Sequence, residues 1–104
     1  MERVEKLKEF LLKDPADSFL QHALALEYIK SGRDADARIL FERILVHDPG
    51  YIGSYYHLSK LLERIGELKL AIQWYEKGIL IAKAAGDRHA LAELQTALED
   101  LDRE

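Results

Sequence analysis

The dipeptide Asp-Pro occurs twice in this chain, at residues 14–15 and 48–49, which are 34 residues apart. Proline removes a backbone donor and pushes the residue before it out of the α region, so each dipeptide predicts the end of a helix. Glycine repeats the interval, because Gly32 and Gly66 are also separated by 34 residues. Helix-ending residues that recur at such an interval indicate a structural repeat.

A shift of the chain by 34 residues matches residues of similar size and polarity. Leu24 falls on Leu58, and Ala37 falls on Ala71. A shift in the other direction matches the N-terminal segment to the second half of a unit. We therefore predict a single domain made of a half repeat at residues 1–15, full repeats at residues 16–49 and 50–85, and a C-terminal capping helix at residues 86–104.

Each full unit has the pattern of two antiparallel helices joined by a short turn. Asp17 and Asp34 are predicted N-caps, and Gly32 is a predicted left-handed C-cap between them. The second helix of the second unit has no proline to stop it, so we expect it to continue to Gly86, after which Asp87 begins the last helix. No segment shows the alternating period of a strand. The sequence predicts an all-α chain of about six helices.

These residues resemble the tetratricopeptide repeat, a 34-residue pattern of large and small residues at fixed positions. The first unit carries its Leu24, Ala25, Tyr28, Ala37, Phe41 and Pro49, and the second carries Tyr55, Leu58, Ser59, Leu62, Ala71 and Tyr75. The second unit departs from the pattern with Lys83 in place of proline. The resemblance implies helix-turn-helix repeats stacked as a short right-handed α-solenoid.

Composition argues against several classes of function. Fifteen Lys and Arg against nineteen Asp and Glu give a net charge of −4, which disfavours nucleic acid as a partner. The absence of cysteine excludes disulfides, thiol nucleophiles and cysteine-bound zinc. The N-terminal segment has no apolar stretch of signal-peptide type, and no run of 18 apolar residues occurs. We expect a soluble, cytoplasmic protein without a membrane partner.

Catalytic patterns are absent from the sequence. None of the four histidines stands in a His-Glu-x-x-His spacing, and there is neither a Gly-x-Ser-x-Gly elbow nor a glycine-rich phosphate loop. His47, Asp14 and Asp48 are interpreted as helix-end residues. We therefore expect no enzyme activity, no cofactor and no metal site.

A second apolar line follows the first helix of the first unit, beside the stripe that should face the core. It consists of Phe19, Ala23, Leu26 and Ile29. Because a helix that is apolar nearly all round should be buried nearly all round, this line must meet a terminal helix, another chain or a ligand. The chain therefore has two alternative functions: it binds a foreign protein, or it associates with itself into a structural unit.

The resemblance implies where a foreign partner binds. In tetratricopeptide arrays the first helix of each pair lines a concave groove that holds an extended or helical peptide. The implied partner-binding residues here are Phe19, His22, Leu26, Ile29, Lys30, Tyr56, Lys60, Glu63 and Arg64. The cations among them favour a partner with acidic as well as apolar side chains. The alternatives are that Tyr56 belongs to the core and that Lys60 and Arg64 are solvated surface charges.

One sub-type of the family binds the C-terminal carboxylate of heat-shock chaperones through lysine and asparagine side chains. The corresponding positions in the first unit are His22 and Leu26, and the chain contains no asparagine. Recognition of chaperone C-termini is therefore disfavoured. The capping helix is interpreted mainly as a lid over the last apolar face, with an acidic hook for a partner as the alternative.

Overall fold

The computed structural model describes residues 2–103, and within this range it contains helices and turns but no β-strand. The predicted all-α fold with six helices is confirmed. Contacts divide the chain into two compact units, of which the first ends at Asp48 and the second begins at Pro49. The helices are α1 (Glu2–Lys13), α2 (Ser18–Lys30), α3 (Asp34–His47), α4 (Gly53–Arg64), α5 (Leu68–Ala85) and α6 (Arg88–Asp102).

In the first unit, α2 packs against both α1 and α3. The apolar stripe of α3 is buried and consists of Ala37, Leu40, Phe41, Ile44 and Leu45. From α2 the core receives Leu24, Ala25 and Tyr28. Neither Ala25 nor Ala37 exposes any surface. The smallest side chains of the repeat pattern are therefore also among its most completely buried ones.

The predicted helix ends of the first unit are confirmed with one exception. Asp17 caps α2, since its carboxylate accepts a hydrogen bond from the Leu20 backbone nitrogen at 2.9 Å. Gly32 adopts the left-handed conformation with a φ of 75°. The prediction that Asp34 caps α3 is wrong, because Arg33 occupies the N-cap position and Asp34 is the first helical residue. An acidic residue remains favourable there, since it lies at the positive end of the helix dipole.

In the second unit, α5 packs against α4 and α6, and α6 also contacts α4. As predicted, α5 continues past Lys83 to an end at Gly86, which is left-handed with a φ of 69°. Asp87 then caps α6 by accepting a hydrogen bond from the Ala90 backbone nitrogen at 3.0 Å. The absence of one proline therefore lengthens α5 to 18 residues.

A close helix contact in the second unit depends on Gly78. A Cβ atom added at Gly78 would lie 2.7 Å from the Tyr55 Cβ atom and 3.1 Å from the Leu94 Cδ1 atom. The corresponding position of the first repeat is Ile44, a large residue. The contact of α5 with α4 and α6 is therefore closer at this position than any side chain would allow.

Candidate partner-binding surface

The second apolar line of α2 remains partly uncovered in the structure. Helical spacing places Phe19, Leu26 and Lys30 on one side of the helix. The Phe19 side chain is 68% exposed, whereas Leu26 and Ile29 are half-buried. An exposed phenylalanine next to two half-buried aliphatic residues forms an apolar surface that the described helices do not close.

Two polar residues of the predicted α2 site have partners inside the first unit. The His22 ring contacts the Phe41 ring edge to face, with centroids 5.6 Å apart, so it contributes to the packing of α2 on α3. The Lys30 ammonium lies 3.2 Å from the Glu27 carboxylate, which the Arg3 guanidinium also reaches at 3.3 Å. His22 is therefore a packing residue, and the charge of Lys30 is offset by its own helix.

The predicted α4 site lies on the side of that helix opposite to its buried stripe. The Lys60 ammonium is 5.8 Å from the centre of the Tyr56 ring and 3.7 Å from the Glu63 carboxylate. Glu63 also accepts a hydrogen bond from the hydroxyl of Tyr75 on α5. Tyr56 is half-buried, and Arg64 is exposed. Glu63 thus has a structural role that its sequence position alone did not reveal.

A pocket of about 380 Å³ lies between α4 and α6 and includes part of this site. From α4 it is lined by Tyr56 and Lys60, and from α6 by His89, Ala92, Glu93, Thr96, Ala97 and Asp100. The family resemblance implied the two α4 residues as binding residues. The α6 residues were not among them, because the capping helix was interpreted mainly as a lid. The acidic residues of α6 therefore belong to the candidate site.

Carboxylates lie close to the two lysines predicted to bind a partner. Lys30 and Lys60 each have a carboxylate within 4.0 Å on their own helix, three residues away. The pocket beside Lys60 adds Glu93 and Asp100. These carboxylates therefore partly offset the positive charge of the two lysines.

Burial perturbs two titratable groups of the second unit. It raises the pKa of Tyr75 above its ordinary range, and the hydrogen bond to Glu63 acts in the same direction. Burial lowers the pKa of His57 below its ordinary value of 6.5, and the negative charge of Glu93 only partly opposes this effect. His57 therefore stays neutral to a lower pH than an exposed histidine does.

We expect the second unit to lose stability as the pH falls from about 7 into the acidic range, in part because of His57. The pKa of His57 in the folded chain is below 6.5, so the unfolded chain takes up the proton first and is favoured. In a His57→Gln variant, the melting temperature should change less over this range. Thermal melts by circular dichroism measure the difference. Identical pH profiles for the two proteins would contradict a buried, neutral His57.

Within residues 2–103, no group of three or more His, Cys, Asp or Glu side chains is arranged to hold a metal ion. In the same range, every helix is either too short or too polar to span a lipid bilayer.

Comparison with known proteins identifies the family. A family profile described as Tetratricopeptide repeat matches residues 52–84. The TPR repeat-containing protein PA0015 of Pseudomonas aeruginosa is 30% identical over 100 residues, which cover 96% of this chain and 95% of the relative. The chain belongs to the tetratricopeptide repeat family. The resemblance drawn from its residues is confirmed.

Two solved structures are similar to this chain over most of its length. The crystal structure of a tetratricopeptide repeat domain protein from Salinibacter ruber is 41% identical, with a TM-score of 0.80 over 83% of this chain and 96% of that one. The solution structure of protein BPP2914 from Bordetella parapertussis is 28% identical, with a TM-score of 0.83 over 96% of this chain and 87% of that one. The helical-repeat fold is therefore shared along most of the chain.

Proposed function

We propose that this chain is a non-catalytic scaffold or adaptor of the cytoplasm that binds a peptide or a partner helix on the groove side of its tetratricopeptide repeats. The family and the fold support protein–protein interaction as the general class of function. The observation that carries the finer proposal is the exposed Phe19 on α2, flanked by half-buried aliphatic residues. Exposed aromatic residues of this kind are frequent anchors of protein interfaces.

The apolar part of the partner has the stronger support. Phe19 and Leu26 offer area that a partner side chain can cover, whereas an exposed ion pair contributes only about 0.2–1 kcal/mol. Acidic residues in the partner remain part of the proposal through Lys60 and Arg64. Their expected influence is on selectivity and association rate more than on affinity.

A peptide-display selection on the isolated protein tests this proposal. We expect the parent to select peptides with apolar residues at recurring positions, and Phe19→Ala to weaken the best of them by at least about fivefold, or about 1 kcal/mol. Leu80→Ala is the matched control, because it also truncates an exposed apolar side chain but on the second helix of its pair. Equal affinities for the parent and Phe19→Ala would remove α2 from the site, and failure to select any peptide would count against the function itself.

A charge-reversed variant in the same selection tests the partner's acidic component. With Lys60→Glu and Arg64→Glu combined, acidic residues should become rarer in the selected peptides, because the variant repels them. Recovery of the same peptides by the parent and the variant would show that these two charges are only solvated surface.

Self-association is the second candidate function, and the exposure of Phe19 favours it as well. Another copy of the chain could cover the α2 surface instead of a foreign peptide. Light scattering over a range of protein concentrations separates the candidates. A parent that associates and a Phe19→Ala variant that does not would support self-association through α2.

A further inference from the structure

The outward side of the second helices carries an exposed aliphatic residue at a fixed repeat position. Leu12, Val46 and Leu80 are spaced by 34 residues, and their exposed fractions are 83%, 80% and 67%. On α3, Val46 is joined one heptad earlier by Ile39, which is 49% exposed. Ile39 and Val46 lie within about 20° of each other around the helix, so they form one apolar line.

This line borders a concave feature of the first unit. A cavity of about 570 Å³ has apolar walls from Pro15, Ala16, Ile39 and Val46 and is bordered by Glu42 and Arg43. None of these residues is among those proposed to bind a foreign partner. An apolar patch with a charged rim is typical of a protein interface.

The charges beside the apolar line indicate which partner fits. Glu42 lies about 60° to one side of Ile39, and Arg43 lies about 40° to the other side, at nearly the same height along α3. A partner surface with charges of a single sign would be attracted to one of these two residues and repelled by the other. The best-matched partner surface carries an apolar line with a positive charge on one side and a negative charge on the other.

A second copy of α3 offers that complement in one orientation. A two-fold axis parallel to the helix brings Ile39 and Val46 against their own counterparts and puts each Arg43 beside the Glu42 of the other copy. An antiparallel pairing would instead place each charge beside its own counterpart, which is unfavourable. The same surface is then used by both copies, as closed two-fold symmetry requires.

We propose that the chain associates with a second copy through the outward face of α3, with the two α3 helices parallel. This interface is separate from the surface proposed to bind a foreign partner, so one dimer would present two copies of that surface. Binding of a partner with two sites would gain from this arrangement through effective concentration.

Sedimentation velocity over a range of concentrations tests the interface. We expect the parent to approach twice the monomer mass and Val46→Glu to remain monomeric. Glu42→Arg and Arg43→Glu should each weaken the dimer by about 2- to 30-fold, since each abolishes two symmetry-related ion pairs. The combined Glu42→Arg, Arg43→Glu variant should restore association, because the two signs are exchanged and remain complementary.

Leu80→Glu is the matched control, because it adds the same charge at the same repeat position of α5. Circular dichroism melts verify folding, since Glu42 also pairs with Arg38 at 3.3 Å within α3. A parent that is monomeric at every concentration would overturn the proposal. So would a combined charge exchange that fails to restore the dimer, equal disruption by Leu80→Glu and Val46→Glu, or a dimer that only Phe19→Ala dissociates.

Discussion

Replacing Gly78 with leucine should lower the free energy of unfolding by about 3 kcal/mol or more, which is beyond the usual range for an overpacked core position. The first added atom would already lie 2.7 Å from the Tyr55 Cβ atom, and that atom is fixed directly to the α4 backbone. Side-chain rotation therefore cannot relieve the clash, and α5 must move away from α4. At about 4–8 °C per kcal/mol, the melting temperature should fall by more than about 12 °C.

A smaller substitution at the same position separates crowding from helix propensity. Gly78→Ala should gain about 1 kcal/mol from propensity and lose about 1–3 kcal/mol from crowding, so it should be neutral to destabilising. In an open helix position the same change would stabilise. Ala84→Leu is the control for side-chain size, since Ala84 is exposed on the same helix. If Gly78→Leu melted together with Ala84→Leu, the close contact of α5 with α4 would be refuted.

The fold was predictable from the sequence because its helix ends are set by local chemistry. Left-handed glycines, capping aspartates and the two prolines act through their own backbone neighbours, so their positions indicate where helices stop and start. The wrong prediction at Asp34 also concerns only neighbouring residues, because Arg33 occupies the N-cap position next to it. Such an error shifts a boundary by one residue without changing the fold.

The close contact at Gly78 was not predicted, because it depends on three helices meeting. Its signal was nevertheless present in the repeat register, which matches Gly78 to the large Ile44. A large residue in one repeat and glycine in the next indicates that the space around the position differs. The repeat register shows that the space around this position differs between the two repeats. Only the packing of Tyr55 and Leu94 against Gly78 explains why.

The candidate site also has some features that local sequence predicts and others that depend on how helices pack. Helical spacing was sufficient to place Phe19 on the second apolar line of α2, whereas the position of Tyr56 was implied by the family resemblance. The ion pair in which Glu27 offsets the charge of Lys30 was also predictable, since the two residues are three positions apart on one helix. By contrast, the α6 wall of the pocket depends on how α6 packs against α4, which no local pattern encodes.

Replacing Ala37 or Ala71 with leucine should lower the free energy of unfolding by about 1–3 kcal/mol in each case. Both side chains are fully buried at equivalent positions of the two repeats, one on α3 and one on α5. Leucine favours helix almost as well as alanine, so a loss of stability would report packing and not propensity. Thermal and denaturant unfolding of both variants provide the measurement.

The controls for these two variants come from the same helices. Ala35 on α3 and Ala84 on α5 are exposed, so Ala35→Leu and Ala84→Leu make the identical change where there is space for it. We expect both controls to unfold within about 0.5 kcal/mol of the parent. Because the 34-residue register alone identified Ala37 and Ala71 as equivalent, the paired experiment tests the register itself. If both buried variants were as stable as their exposed controls, the alignment of the two repeats would be wrong.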